Sequence, residues 1–215
     1  MNSLKRYIIL LAGLSIMAFG VAFSIKAGLG TSPISSVPYV VSLFSNLTVG
    51  TATIAMHCVF IIIQILILRK KYELIQLLQL PVAFFFGYLT DLGVWATNFI
   101  VCDSYISQWI ACVFGIILVA IGVSLEVTAN VVVLAGEGVV ISICKVLPIK
   151  FGYMKVGFDV ILVAIACVLS LAFTGRIQGV REGTVAAAVF VGLLSKQILA
   201  FIKNQEQVYP NRETP

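Results

Sequence analysis

Glu137 stands between two glycines, Gly136 and Gly138, inside an apolar stretch. A carboxylate placed there is costly unless it is paired, protonated or in reach of water, so it marks a functional site by default. The alternative is a carboxylate tied to a lysine for structure alone. Lys155 and Asp159 follow at i, i+4, which puts them on one helix face within pairing distance. They read either as an intrahelical pair near a membrane surface or as groups that gate or orient a solute. His57 is the single histidine, and with no ligand cluster around it a metal site is not expected. Asp91 and Glu126 fall near the ends of their apolar segments and read as interfacial, although Asp91 follows Gly87 on a helix that could line a cavity. Arg181 opens the stretch Arg181-Glu182-Gly183-Thr184, which has the acid expected at a helix start. Holding an anionic solute is the alternative role for Arg181.

The backbone offers a second kind of chemistry. In the run Gly28-Leu29-Gly30-Thr31-Ser32-Pro33-Ile34-Ser35-Ser36, glycines permit unusual backbone angles and Pro33 suits the first turn of a helix. Thr31 or Ser32 can cap that helix, whose positive dipole end then points toward Gly30. At one extreme this is a turn that binds an anion or polar solute, and at the other an interfacial loop with a good cap.

These residues need a scaffold, and composition narrows it. Of the 215 residues 60% are hydrophobic and only 11% charged, too few to cover a water-facing surface. With lipid as solvent, every backbone polar group needs an internal partner, which leaves helices or a closed barrel. Long continuous apolar runs, such as 54–68 and 156–173, select helices over the short alternating segments of a barrel. The formal charge of +5 comes from basic clusters at helix ends, including Lys5-Arg6 and Arg69-Lys70-Lys71, and not from a nucleic-acid surface. The five cysteines share no close spacing and read as reduced packing residues. Met1–Ala27 has a basic start, yet its apolar run is long enough to span, so it reads as a retained helix and not a cleaved signal.

The expected fold is an all-α transmembrane bundle forming a single domain over residues 1–204, with a short polar tail at 205–215. Six full spans are expected at 7–25, 51–68, 75–101, 108–127, 155–173 and 183–202. Segments 31–44 and 131–147 are short or interrupted and read as broken or re-entrant helices. That reading also moves the Arg69–Lys71 cluster to the same side as Lys5 and Arg6, while Arg176 and Arg181 stay on the opposite side. A weak internal repeat is visible: Gly13, Gly20, Ala27 and Gly50 recur as Gly115, Gly122, Ala129 and Gly152 at one offset (115 − 13 = 102). The same offset pairs Ser35 with Glu137 and His57 with Asp159. The repeats would cover about 6–101 and 108–203. Three spans per half make the halves inverted, with any ligand near the midplane; four make them parallel. The Gly/Ala stripes suit close helix packing, within the chain or between copies of it.

Four stretches together resemble the YczE/YyaS/YitT family of bacterial integral membrane proteins over nearly the whole chain. They are GLGTSPISSVP at 28–38, Gln79-Leu80-Pro81 with Gly87 and Asp91, Lys155 with Asp159, and GVREGT at 179–184. The resemblance implies a bacterial plasma-membrane protein, carries no catalytic residues over, and suggests transport only as a general reading. Combined with the residues above, it leads to an expected transporter or permease for a small polar or ionic solute. Its site would be walled by Gly28, Gly30, Thr31, Ser32, Pro33, Ser35, Gly136, Glu137 and Gly138. Gating or proton coupling would fall to His57, Asp91, Lys155, Asp159 and Arg181. No phosphate-binding loop is present, so transport is not driven by ATP through this chain alone, and no cofactor is expected. A non-transporting scaffold, sensor or regulatory subunit is the alternative. An intramembrane enzyme is disfavoured because no Gly-x-Ser-x-Gly turn accompanies the histidine.

Overall fold

The computed structural model describes residues 3–208, with side chains described through residue 202. Eight α-helices follow one another: α1 (Ser3–Ala27), α2 (Pro33–Phe44), α3 (Val49–Leu68), α4 (Gln79–Ala96), α5 (Tyr105–Ala129), α6 (Ala135–Val146), α7 (Phe151–Thr174) and α8 (Glu182–Val208). Two 3₁₀ turns, Arg69–Lys71 and Leu74–Leu78, join α3 to α4. Six helices are long and apolar enough to cross a membrane, and α2 and α6 are not among them. The two short helices have 12 residues each, a length of about 18 Å that falls well short of a hydrocarbon core. The chain is therefore an all-helical, multi-pass membrane protein with six spans and two short helices. Of the polar tail expected at 205–215, residues 205–208 continue α8 and the rest lies outside the described residues.

Local chemistry sets the helix boundaries. Thr48 caps α3 by accepting the Thr51 N–H at 3.1 Å. Ser104 and Ser107 form a reciprocal box at the start of α5, each hydroxyl accepting the other's N–H at 3.1 Å. Asn130 ends α5 in the left-handed region at φ 46°, and Gly175 ends α7 at φ 72°. Pro33 occupies the first turn of α2, where its missing N–H costs nothing.

The centre of the bundle is the crossing of α1 with α5. A Cβ on Gly13 would lie 2.9 Å from the Gly122 carbonyl oxygen, and one on Gly20 would lie 2.9 Å from that of Gly115. Earlier residues of α1 meet later residues of α5, so the two helices run antiparallel with their backbones nearly touching. The glycine stripes seen in sequence are consumed in this intramolecular contact. In contrast α4 runs parallel to α1, with Gly93 against Ala22 and Lys26 Nζ donating to Asn98 Oδ1 at 2.5 Å. At the opposite end, Arg6 Nε donates to the Ala129 carbonyl at 2.8 Å. That end carries Arg6, the Arg69–Lys71 turn and Lys145, and is called the basic end below.

Buried amides bind three helices together. Gln64 of α3 donates to Gln79 Oε1 of α4 at 2.8 Å and to the Ala135 carbonyl of α6 at 3.1 Å. Gln79 returns a bond to Gln64 Oε1 at 3.3 Å. Helices α3 and α4 pack along each other, whereas α7 and α8 barely touch.

Candidate functional site

Both short helices begin in the interior and run outward in opposite directions. Ile34, in the first turn of α2, packs against Gly136 in the first turn of α6. From there α2 ends where Phe44 stacks on Phe173 of α7 at 4.3 Å. Helix α6 instead ends toward the basic end, where Lys145 Nζ lies 3.9 Å from Glu73. Two helix N-termini thus meet near mid-depth, each carrying a partial positive charge.

Beside this meeting point lies a cavity of about 360 Å³, lined by residues from all eight helices. Ser32 just before α2, Pro33 and Ser35 of α2, His57 of α3, Glu137 of α6, and Lys155 with Asp159 of α7 all line it. Seven of the residues singled out in sequence are therefore brought to one space. Lys155 Nζ binds Asp159 Oδ1 at 2.5 Å within α7. His57 is 1% exposed, its ring flanked by Phe60 and Phe86 at 6.1 and 6.2 Å, and its Nδ1 has no hydrogen-bond partner.

Other expected site residues lie elsewhere. Gly28, Gly30 and Thr31 belong to a latch between the α1–α2 and α7–α8 connections. Thr31 N–H donates to the Gly179 carbonyl at 3.2 Å, Gly183 N–H donates to that of Leu29 at 2.8 Å, and Arg181 Nη1 donates to that of Gly28 at 3.2 Å. Gly30 sits at φ 92°, and a Cβ there would be 2.6 Å from the Arg181 nitrogen. The latch lies beyond the cavity, on the side away from the basic end. Gly138 faces the Gln64–Gln79 pair, where a Cβ would be 2.5 Å from Gln64 Oε1. Asp91 holds the start of α3, accepting from Gly50 N–H at 2.7 Å and Thr48 Oγ1 at 2.6 Å.

Glu126 corrects the sequence reading. It is 1% exposed and forms part of the cavity wall. Its Oε1 accepts the Leu134 N–H at 2.6 Å, which ties α5 to the entry of α6, while Oε2 is buried without a partner. Glu126 also borders a second cavity of about 260 Å³ that includes Gln76, Gln79 and Asn130. A signal for its burial was present in the sequence. Glu126 lies four residues after Gly122 and three before Ala129, on the same helical face as the glycine stripe.

Six spans, two opposed half-helices and a shared interior cavity are those of a polytopic membrane protein whose largely apolar cavity is bordered by titratable side chains. The chain belongs to a family of unknown function, DUF6198, whose model matches residues 4–200. It is similar to the uncharacterised protein YyaS of Bacillus subtilis (strain 168), with 30% identity over 114 residues, covering 53% of this chain and 55% of that protein. The match therefore spans about half the length of that relative. No solved structure matches the chain.

Proposed function

We propose that this chain is a permease or secondary transporter for a small polar or ionic solute in the bacterial plasma membrane. The observation that carries this reading is the interior cavity, lined by Glu126, Glu137 and His57 beside two helix N-termini, with Oε2 of Glu126 and Nδ1 of His57 buried without partners. Buried polar atoms without partners are costly, and a solute that partners them gains free energy. A protein that only scaffolds others has no use for that cost at its centre.

Other observations support the same reading. Taken with the offset of 102 (115 − 13), α1–α4 correspond to α5–α8 in inverted orientation. The two pairs matched by that offset, Ser35 with Glu137 and His57 with Asp159, line one cavity. Inverted halves with discontinuous helices around a mid-depth site are a recurrent transporter layout. By the positive-inside rule the basic end is cytoplasmic. The 28–31 and 179–184 latch then closes the outer side, and Arg181 contributes to that closure as a gate. Glu126, bordering both cavities, sits where an ion or proton passes between the site and the cytoplasmic end. An ion gradient is the energy source in this scheme.

The test is thermal unfolding of the purified protein in detergent across a library of small solutes, with Glu137→Gln run beside the wild type. A ligand at about a hundred times its Kd stabilises by about 2.7 kcal/mol. A solute that shifts the wild type and not the variant supports the reading. If no solute shifts the wild type, the transporter reading fails and a protein partner becomes the object of search.

A further inference from the structure

We infer that the solute is an amphiphilic organic cation that enters sideways from the bilayer between α7 and α8. This rests on the transporter reading and names its substrate class. The first argument is charge. The cavity wall holds three carboxyl groups, Glu126, Glu137 and Asp159, against one ammonium, Lys155. Lys155 is engaged by Asp159, and Oε2 of Glu126, 1% exposed overall, has no partner. An anion would instead need free donors, and several near the two helix N-termini are already engaged. Pro33 has no N–H, those of Ser35 and Ser36 close onto the Ser32 carbonyl at 2.9 Å, and that of Leu134 goes to Glu126. The site therefore favours positive charge.

The second argument is the character of the remaining wall. Met17, Val21, Phe86, Val119, Val123 and Val191 surround the polar cluster with apolar surface. A small hydrated ion leaves that surface uncovered, whereas an apolar body carrying a cationic head matches both parts. Phe86 and Phe151 also line the cavity, and aromatic rings attract cations held over their faces.

The third argument is the route. Gly152 of α7 and Gly192 of α8 both line the cavity, both are exposed, and nothing lies within 4 Å of a Cβ built on either. The flank between α7 and α8 therefore stands open toward lipid, where an amphiphile partitions, while α3 and α4 are packed shut.

The experiment is equilibrium binding of radiolabelled tetraphenylphosphonium to the purified full-length protein in detergent. Tetraphenylborate, of the same shape and opposite charge, and tetramethylammonium, of the same charge without the apolar body, serve as comparisons. Tetraphenylphosphonium is expected to bind saturably, at least about tenfold tighter than either comparison, because both charge and apolar area are recognised. Glu126→Gln keeps the acceptor for Leu134 and, like Glu137→Gln, is expected to weaken it about tenfold. If Glu126→Gln does not fold, Glu137→Gln carries the test, since its carboxyl caps no helix. Gly192→Phe, set in open space, is expected to slow tetraphenylphosphonium association and leave folding unchanged. Equal binding of tetraphenylborate or of tetramethylammonium overturns the inference. If tetraphenylphosphonium fails to bind while a hydrophilic solute stabilises the wild type through Glu137, the amphiphile is wrong and the transporter reading stands. If neither binds, both fall.

Discussion

Replacing Gln64 by leucine should destabilise the protein by an amount that Gln79→Leu does not increase. Gln64 takes part in three hydrogen bonds: it donates to Gln79 and to the Ala135 carbonyl, and accepts from Gln79. Both amides are buried, at 0% and 2% exposure, so water does not replace the lost partners. At about 0.6 kcal/mol per interhelical bond in a membrane, Gln64→Leu costs about 1.8 kcal/mol and Gln79→Leu, which removes two bonds, about 1.2 kcal/mol. The double variant removes the same three bonds as Gln64→Leu alone, so its cost stays near 1.8 kcal/mol and the coupling is about 1.2 kcal/mol. Reversible unfolding in mixed micelles with increasing denaturing detergent gives all four free energies. If the two single effects add within about 0.3 kcal/mol, the amides do not act as one unit and the proposed tie between α3, α4 and α6 is wrong.

Further outcomes follow from the same geometry. Gly115→Val forces a Cβ to 2.8 Å from the Gly20 carbonyl and should cost about 1–3 kcal/mol or more in detergent unfolding. Gly192→Ala, with nothing within 4 Å, should change stability by no more than about 0.5 kcal/mol in the same measurement. Asp91→Ala removes two bonds at the start of α3 and should lower stability by about 1 kcal/mol; Asp91→Asn, which still accepts, should lose less when melted beside it. Cysteines placed at Lys70 and Lys145 in a cysteine-free background should react with an impermeant maleimide from one side of the membrane, and one at Asp103 from the other. Labelling of all three from the same side would contradict the six-span arrangement.

Length and hydropathy were enough to read the spans, because a run of about twenty apolar residues has few other fates. Segments 31–44 and 131–147 were expected to be interrupted at Pro33, Pro38, Gly136 and Gly138, yet α2 starts at Pro33 and continues through Pro38, and α6 runs through both glycines; the two helices fall short of a span because each has only 12 residues. Glu137, Lys155 and Asp159 stood out because charge is rare in such a chain. The burial of Glu126 was missed because nearness to a helix end is a poor guide to exposure when the next segment folds back over that end. Gly28, Gly30 and Thr31 were read with the helix that follows them, yet their contacts are with a loop about 150 residues later, as the Arg181–Gly28 bond spans 153 positions. Sequence spacing carries local periodicity, and no periodicity announces a pairing between two connections. The apolar half of the cavity was equally hidden, since Val and Met facing a cavity look the same in sequence as Val and Met facing a neighbouring helix.

The contact of α1 with α5 also bears on how the chain is made. The glycine face of α1 is covered by residues 115–126 of α5, so roughly 90–100 residues must be synthesised after α1 before that cover is made. At elongation rates of about 5–20 residues per second, α1 waits in the bilayer for roughly 4–20 s before that cover arrives. Helix α4, the other main partner of α1, arrives first, yet the atoms nearest Gly13 and Gly20 all belong to α5. Assembly of the centre thus begins only after α1, α3 and α4 have been made, with the contacts of α6, α7 and α8 later still, and a chain stalled before residue 115 leaves the glycine face of α1 without its cover.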